Sequence, residues 1–283
     1  VDYLGEQNID AVYYMIDLPL CSFFKVIGGY RFENTELDIT NDAEVDAQWY
    51  SDTEQQFIKI STDPDAANVS FEQEDTLPAL GFECTPIDEI SLRGSYSETV
   101  ARQTFKELTP IQQQEFLGGD IFIGNPKLKM SALKNYDIRL DYKPYTGGLI
   151  SISWFYKEID KPIEYVQKVV DFRFTTPLNF PEGELSGIEC EVRQDIGHFI
   201  PVLDGLAAGG NATFIESEVS LPQSEIDLLE SVGYPSTTRP MRNAPEYLLN
   251  LYLTYDIKRF KTKLGLFYTF RGYFFLVFFF FSS

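Results

Sequence analysis

The run Asn135-Tyr136-Asp137-Ile138-Arg139-Leu140-Asp141-Tyr142 places Tyr136, Ile138, Leu140 and Tyr142 on one side and Asp137, Arg139 and Asp141 on the other. Side chains of an extended backbone alternate between two faces, so this pattern predicts a strand with one apolar and one polar face. The rhythm recurs. Val26, Gly28, Tyr30 and Phe32 oppose Gly29, Arg31 and Glu33; Ile90, Leu92, Gly94 and Tyr96 oppose Ser91, Arg93, Ser95 and Ser97; Ile188, Cys190 and Val192 oppose Glu189, Glu191 and Arg193. About ten strands follow from this reading, over residues 8–18, 23–39, 76–84, 90–97, 135–142, 149–159, 185–196, a segment ending near Val219, 246–255 and 261–270.

The connections alternate as regularly as the strands. Pro19-Leu20, Thr85-Pro86-Ile87-Asp88, Lys143 to Gly148, Gly197 to Gly205 and the stretch around Ile257-Lys258-Arg259 are short, whereas the segments between them are long. In hydrocarbon every backbone N–H and C=O must be paired within the structure, so strands cross a membrane only as a sheet without free edges. Strands of about ten residues, short turns at one end and long loops at the other are the pattern of an outer-membrane barrel. The expected fold is therefore all-β: part of an antiparallel transmembrane β-barrel with short periplasmic turns and long extracellular loops. Two loop helices are expected, one opening at Thr109-Pro110-Ile111-Gln112 as a capping box and one over 224–230 with Ser224 as its cap.

Composition sharpens this picture. The chain holds 24 Phe and 17 Tyr against 2 Trp, aromatics suited to a lipid-facing band and its girdles. Its net charge of -20 excludes a nucleic-acid partner, because phosphate recognition needs clustered Lys and Arg. Residues 41–75 carry 10 Asp or Glu and 1 Lys and are expected to form a solvated loop. Cys21, Cys84 and Cys190 have no C-x-x-C spacing, so neither a disulfide framework nor a metal knuckle is indicated. The single histidine, His198, falls in a short turn, which leaves no triad and no metal site to assemble. No catalytic residue and no cofactor are expected.

Several phrases together resemble the barrel of TonB-dependent outer-membrane receptors. They are Ser95-Tyr96-Ser97-Glu98-Thr99-Val100-Ala101-Arg102, Phe105 to Pro110, Gly124-Asn125-Pro126-Lys127-Leu128-Lys129, Phe155 to Glu164, Gly187-Ile188-Glu189, Arg239-Pro240-Met241 and Ala244-Pro245-Glu246-Tyr247. The resemblance implies a barrel of about 22 strands around an N-terminal plug that contacts TonB. Neither plug nor TonB box is visible, so the chain reads as an internal piece of such a receptor. Residues 1–272 are expected to be partial barrel and 273–283 a Phe-rich tail, a truncated or frame-shifted end.

The implied function is TonB-dependent uptake of a scarce nutrient (siderophore, vitamin or oligosaccharide) across the outer membrane of a Gram-negative bacterium. The expected partners are TonB through the plug, outer-membrane lipid and lipopolysaccharide, and an extracellular small-molecule ligand. Trp49 and Tyr50, aromatics in a polar loop, are the candidate substrate contacts. Arg93, Asp137, Arg139, Asp141, Glu189, Glu191 and Arg193 are expected to face a wet lumen, where alternate carboxylates pair with arginines rather than serve a hydrolase. Two other readings stay open: a passive porin-like or structural barrel, and a soluble carbohydrate-binding β-sandwich whose outward faces would pack on a second sheet.

Overall fold

The computed structural model describes residues 3–41, 48–51, 54, 56–59, 68–110, 112–114, 118–272 and 274–282. In chain order, β1 (Tyr3–Cys21), β2 (Phe24–Asn41), β3 (Gln48–Ser51), β4 (Gln56–Lys59), β5 (Val69–Ile87) and β6 (Ile90–Ala101) precede a one-turn helix, α1 (Phe105–Leu108). Then come β7 (Gln112–Gln114), β8 (Ile121–Ile123), β9 (Ser131–Tyr142), β10 (Leu149–Asp160), β11 (Ile163–Val169), β12 (Arg173–Asn179), β13 (Glu182–Asp195) and β14 (Leu206–Ser220). Helix α2 (Gln223–Ser231), β15 (Thr238–Arg239), β16 (Tyr247–Ile257), β17 (Thr262–Arg271) and β18 (Phe274–Ser282) follow.

The long strands form one antiparallel wall in the order β1-β2-β5-β6-β9-β10-β13-β14-β16-β17-β18, with β15 pairing β14 off this path. The alternation read from single strands is propagated by register. Leu92 lies opposite Leu140, Leu140 opposite Ile152, Ile152 opposite Cys190, Cys190 opposite Ala212 and Ala212 opposite Leu249. Two residues along, Gly94, Ile138, Trp154, Ile188, Phe214 and Tyr247 make a parallel row. These side chains are not buried: Leu140 is 42% exposed, Ile152 49% and Trp154 44%, although their neighbours on the same face are equally apolar. An apolar face of this extent needs an apolar medium.

Moving along the strands toward the long loops, the same face becomes polar in order. Tyr96, Tyr136 and Tyr156 follow, with ring centroids 5.1 Å and 5.9 Å apart, and then Glu98, Lys134, Glu158, Glu184 and Glu218 in one row. Aliphatic, aromatic and charged layers in sequence are what a slab of hydrocarbon with a wet border selects. Tight contacts keep the wall regular: a Cβ at Gly187 would lie 2.4 Å from the Phe155 ring and 2.4 Å from the Phe214 carbonyl oxygen, so only glycine fits there.

Several expectations are corrected. The Phe-rich segment is not a tail of the preceding strand but its own strand, β18, paired antiparallel to β17 from Arg271↔Phe274 to Lys263↔Ser282 after a turn at Gly272, φ 53°. The described sheet therefore has β1 and β18 as its edges, rather than β1 and β17. Residues 69–75 are not loop; they extend β5, paired with β2 from Ile39↔Val69 onward. Val69 is held there by burial with Leu37, Ile39, Leu108 and Leu128, which outweighs the local acidity. The first turn lies at Ser22-Phe23, beyond Pro19-Leu20.

Both helices are displaced from their expected starts. The capping box is Thr104–Glu107, one turn upstream of the expected one, and Thr109 instead closes α1 by donating its N–H and its hydroxyl to the Phe105 carbonyl, at 3.0 Å and 2.7 Å. Helix α2 starts at Gln223 with Pro222 as N-cap, which puts Ser224 inside the first turn.

Candidate functional site

The polar face of the wall carries two sets of polar contacts, an ionic cluster on β6, β9 and β13 and a hydrogen-bonded chain on β14, β16 and β17. Ser91, Asp141, Ser151, Glu191, Asn211, Asn250 and Thr269 form a register row across successive strands. Thr269 donates to Asn250 at 2.9 Å, and Asn250 donates to Asn211 at 2.8 Å. Asp141 is 1% exposed and accepts from Arg139 Nε at 2.8 Å and from Arg93 Nη2. Arg139 also donates to Glu191 at 2.8 Å. Arg93 and Arg139 are direct register partners, so two like charges face each other, and Asp141, which pairs with both, balances them together with Glu191. Beside them lies a cavity of about 670 Å³ lined by residues that include Tyr13, Met15, Gly29, Gly81, Arg93 and Asp137.

All seven residues expected on this polar side share its strand parity: Arg93, Asp137, Arg139, Asp141, Glu189, Glu191 and Arg193. Arg93, Arg139, Asp141 and Glu191 meet in one cluster, whereas Glu189 lies opposite Ser153 and Thr213, outside it.

At the other end the long connections build a packed head. The hairpin β3–β4 and the strands β11-β12-β8-β7 make two small sheets, joined by an aromatic core. The Tyr50 ring centroid lies 5.4 Å from Phe174 and 5.7 Å from Phe57, with Ile123 and Phe174 fully buried. Tyr50 was expected as an exposed stacking surface; at 2% exposure its faces are used by this core instead. The Trp49 side chain lies outside the described residues.

Two carboxylates outside the expected site residues tie the loops of the head together. Glu107 accepts from the Thr104 N–H at 2.7 Å and from the Tyr165 hydroxyl at 2.7 Å, linking α1 to β11. Burial, then this bond to Glu107, holds the Tyr165 phenol well above its ordinary pKa. Glu164, 4% exposed, pairs with Arg239 at 2.9 Å and accepts from the Arg242 N–H at 3.2 Å, joining β11 to the connection after α2. Asn179 donates to the Lys129 and Lys161 carbonyls, both at 2.9 Å, and Asn125 donates to the Pro177 carbonyl at 3.1 Å. Glu107, Asn125 and Glu164 fall within the phrases that carry the resemblance, and Thr104-x-x-Glu107 also fits a capping box, but none of these phrases names the loop-to-loop partners. Among the described residues no group of three or more His, Cys, Asp or Glu converges as a metal cluster.

Comparison with known proteins gives a consistent result. The family described as "TonB dependent receptor-like, beta-barrel" matches residues 4–277. Among solved structures, the copper transporter OprC is 12% identical with a TM-score of 0.63, covering 94% of this chain and 34% of its own. The alcaligin outer-membrane receptor FauA from Bordetella pertussis is 13% identical with a TM-score of 0.56, over 95% of this chain and 38% of its own. The siderophore receptor PirA from Pseudomonas aeruginosa is 11% identical with a TM-score of 0.51, over 98% of this chain and 48% of its own. The chain thus spans between about a third and a half of these structures, at identities that speak to fold. No curated protein matches the sequence.

Proposed function

The chain belongs to the TonB-dependent receptor β-barrel family, and from that premise we propose that it forms wall and recognition loops of an outer-membrane receptor that imports a scarce nutrient. The carrying observation is the layered wall: register rows that are aliphatic, then aromatic, then acidic on one face, and ionic on the other, with long connections packed into a head at one end only. The apolar face would meet lipid of a Gram-negative outer membrane, with lipopolysaccharide at the acidic border. The polar face would line the passage, and the head would bind the extracellular ligand.

Among siderophore, vitamin and oligosaccharide, the first has the most support, because the neighbour PirA is named a siderophore receptor and none of the three neighbours above names a vitamin or an oligosaccharide. Contact with TonB is assigned to a plug rather than to these strands. The head supports selective uptake over a passive pore: Glu107, Glu164 and Asn179 spend their hydrogen bonds fixing loop against loop, which a pore open to all solutes does not require.

The test is uptake of radiolabelled ferric siderophores into cells whose own receptors are deleted and which express the receptor containing this wall. Saturable uptake that stops when TonB is removed is expected. Unsaturable permeation that persists without TonB would overturn the proposal in favour of a passive barrel, and recovery of the receptor in the soluble fraction would favour the sandwich.

A further inference from the structure

Two turns at the short-connection end carry apolar side chains that the wall itself does not need. Phe199 is 62% exposed, Val202 84% and Phe260 69%, on the connections β13–β14 and β16–β17. The direction of the first turn is fixed by a neighbour. Tyr145 hydrogen-bonds Gln194, which has the same parity as Ile188, Cys190 and Val192 on the apolar face. His198 stacks on Tyr145 at 3.9 Å with an interplanar angle of 6°, and Phe199 meets both rings edge-on at 5.3 Å and 5.1 Å. The aromatic cluster thus stands on the apolar side, directly beyond Val192, and continues that face past the end of the strands.

The second turn is bound to the first by Lys258 Nζ to Asp204 Oδ2, 2.6 Å. This pairing raises the Lys258 pKa and lowers that of Asp204. The turn is also charged against the trend of the molecule. In a chain of net charge -20, Lys258, Arg259, Lys261 and Lys263 fall between Ile257 and Leu264 with no acid among them. The Arg259 guanidinium lies 5.7 Å from the Phe260 ring centre, and Lys261 takes a left-handed conformation, φ 50°, that ends the turn. Cations set beside exposed aromatic and aliphatic side chains, at the border of a face that needs an apolar medium, match the two parts of an anionic lipid.

We infer that these two turns form a ledge for an anionic glycerophospholipid in the leaflet nearer the short connections. Phe199, Val202 and Phe260 enter the acyl boundary, and Arg259 and Lys261 take the phosphate. Lys258, already paired with Asp204, holds the two turns together. The inference rests on the reading that the apolar face meets lipid, and it is independent of which nutrient is imported.

The receptor is extracted from outer membranes in mild detergent and titrated with phosphatidylglycerol and phosphatidylethanolamine of identical acyl chains, with bound lipid read by native mass spectrometry. Phosphatidylglycerol should be preferred, and the double variant Arg259→Gln/Lys261→Gln should lower its retention about tenfold or more, from two lost charges near a lipid surface. Lys134→Gln, which removes one cation at the opposite end of the strands, should leave retention unchanged. With Trp154 changed to Phe, Phe260→Trp should add fluorescence that lipids brominated on the acyl chain quench, a readout that survives if the double variant fails to fold. Equal retention of the two lipids, retention unaffected by the double variant, or an unquenched tryptophan would overturn the inference. Because these residues lie outside the head and the ionic cluster, siderophore uptake by the double variant should persist. Absence of a phosphatidylglycerol preference in the native receptor, with its uptake intact, would therefore count against the ledge alone.

Discussion

Replacing Asp141 with asparagine preserves size and removes one charge from beneath two guanidinium groups. The side chain of Asp141 is 2% exposed, while those of Arg93 and Arg139 are 48% and 32% exposed. Breaking a fully buried pair costs about 3–5 kcal/mol, and an exposed pair is worth about 0.2–1 kcal/mol. The carboxylate belongs to the first class and the arginines lie between the two. Water reaches Arg93, and Glu191 still holds Arg139 at 2.8 Å, so the expected loss is about 2–3 kcal/mol. Most of it arises from leaving Arg93 opposite Arg139 with Glu191 as the one remaining counter-charge of the cluster. Arg93→Gln should therefore relieve part of the damage, and the double variant Asp141→Asn/Arg93→Gln should be less destabilised than the sum of the two single changes. The assay is urea unfolding in lipid bilayers, followed by the heat-modifiable gel migration of the folded barrel. A loss below about 0.5 kcal/mol for Asp141→Asn, or a strictly additive cycle, would refute the electrostatic account of this cluster.

Three further outcomes are expected. Leu140→Arg puts a cation in the middle of the apolar row and should cost about 2–4 kcal/mol in the same unfolding assay, against little for a similar change near the tyrosine border. Thr104→Ala removes one side of the capping box at α1 and should weaken the loop over 102–130 by about 1 kcal/mol, read as faster hydrogen exchange there with the wall unchanged. The raised pKa of Tyr165 stabilises the head in full below the ordinary tyrosine value of about 10, and that contribution is lost as pH rises above it. Proteolysis of the 161–181 loop should accordingly accelerate from pH 9 to pH 11, and Tyr165→Phe should flatten the change; an equal acceleration in the variant would exclude Tyr165 as the cause.

The wall was legible because its information is local. Residues 135–142 alternate whether or not their neighbours are known, and register then carries the pattern into the next strand. The head was not legible because its strands pack against other loops rather than against a uniform medium. In β11, Glu164 is buried and Tyr165 is partly exposed, an inversion caused by Arg239 arriving from a connection far along the chain. Tyr50 misled for the same reason: its partners Phe57 and Phe174 come from two different loops. For α1, the phrases beginning at Thr104 and Thr109 both fit a capping box, and only the three-dimensional contact of Thr109 with Phe105 separates them. In β18 a run of phenylalanines has no period, so no alternation could mark it as a strand.

The central claim is that one face of the wall meets lipid and the other water, and single cysteines test it most directly. With Cys21, Cys84 and Cys190 changed to serine, cysteines are placed in turn at 137, 138, 139, 140, 152 and 153 in the protein assembled in outer membranes. Positions 137, 139 and 153, which share the polar parity and are not buried, should react with a charged, water-soluble thiol reagent. Positions 138, 140 and 152 should resist it and react instead with a membrane-soluble maleimide. Equal reaction of both sets with the charged reagent would contradict the assignment of the two faces, and with it the barrel-wall account.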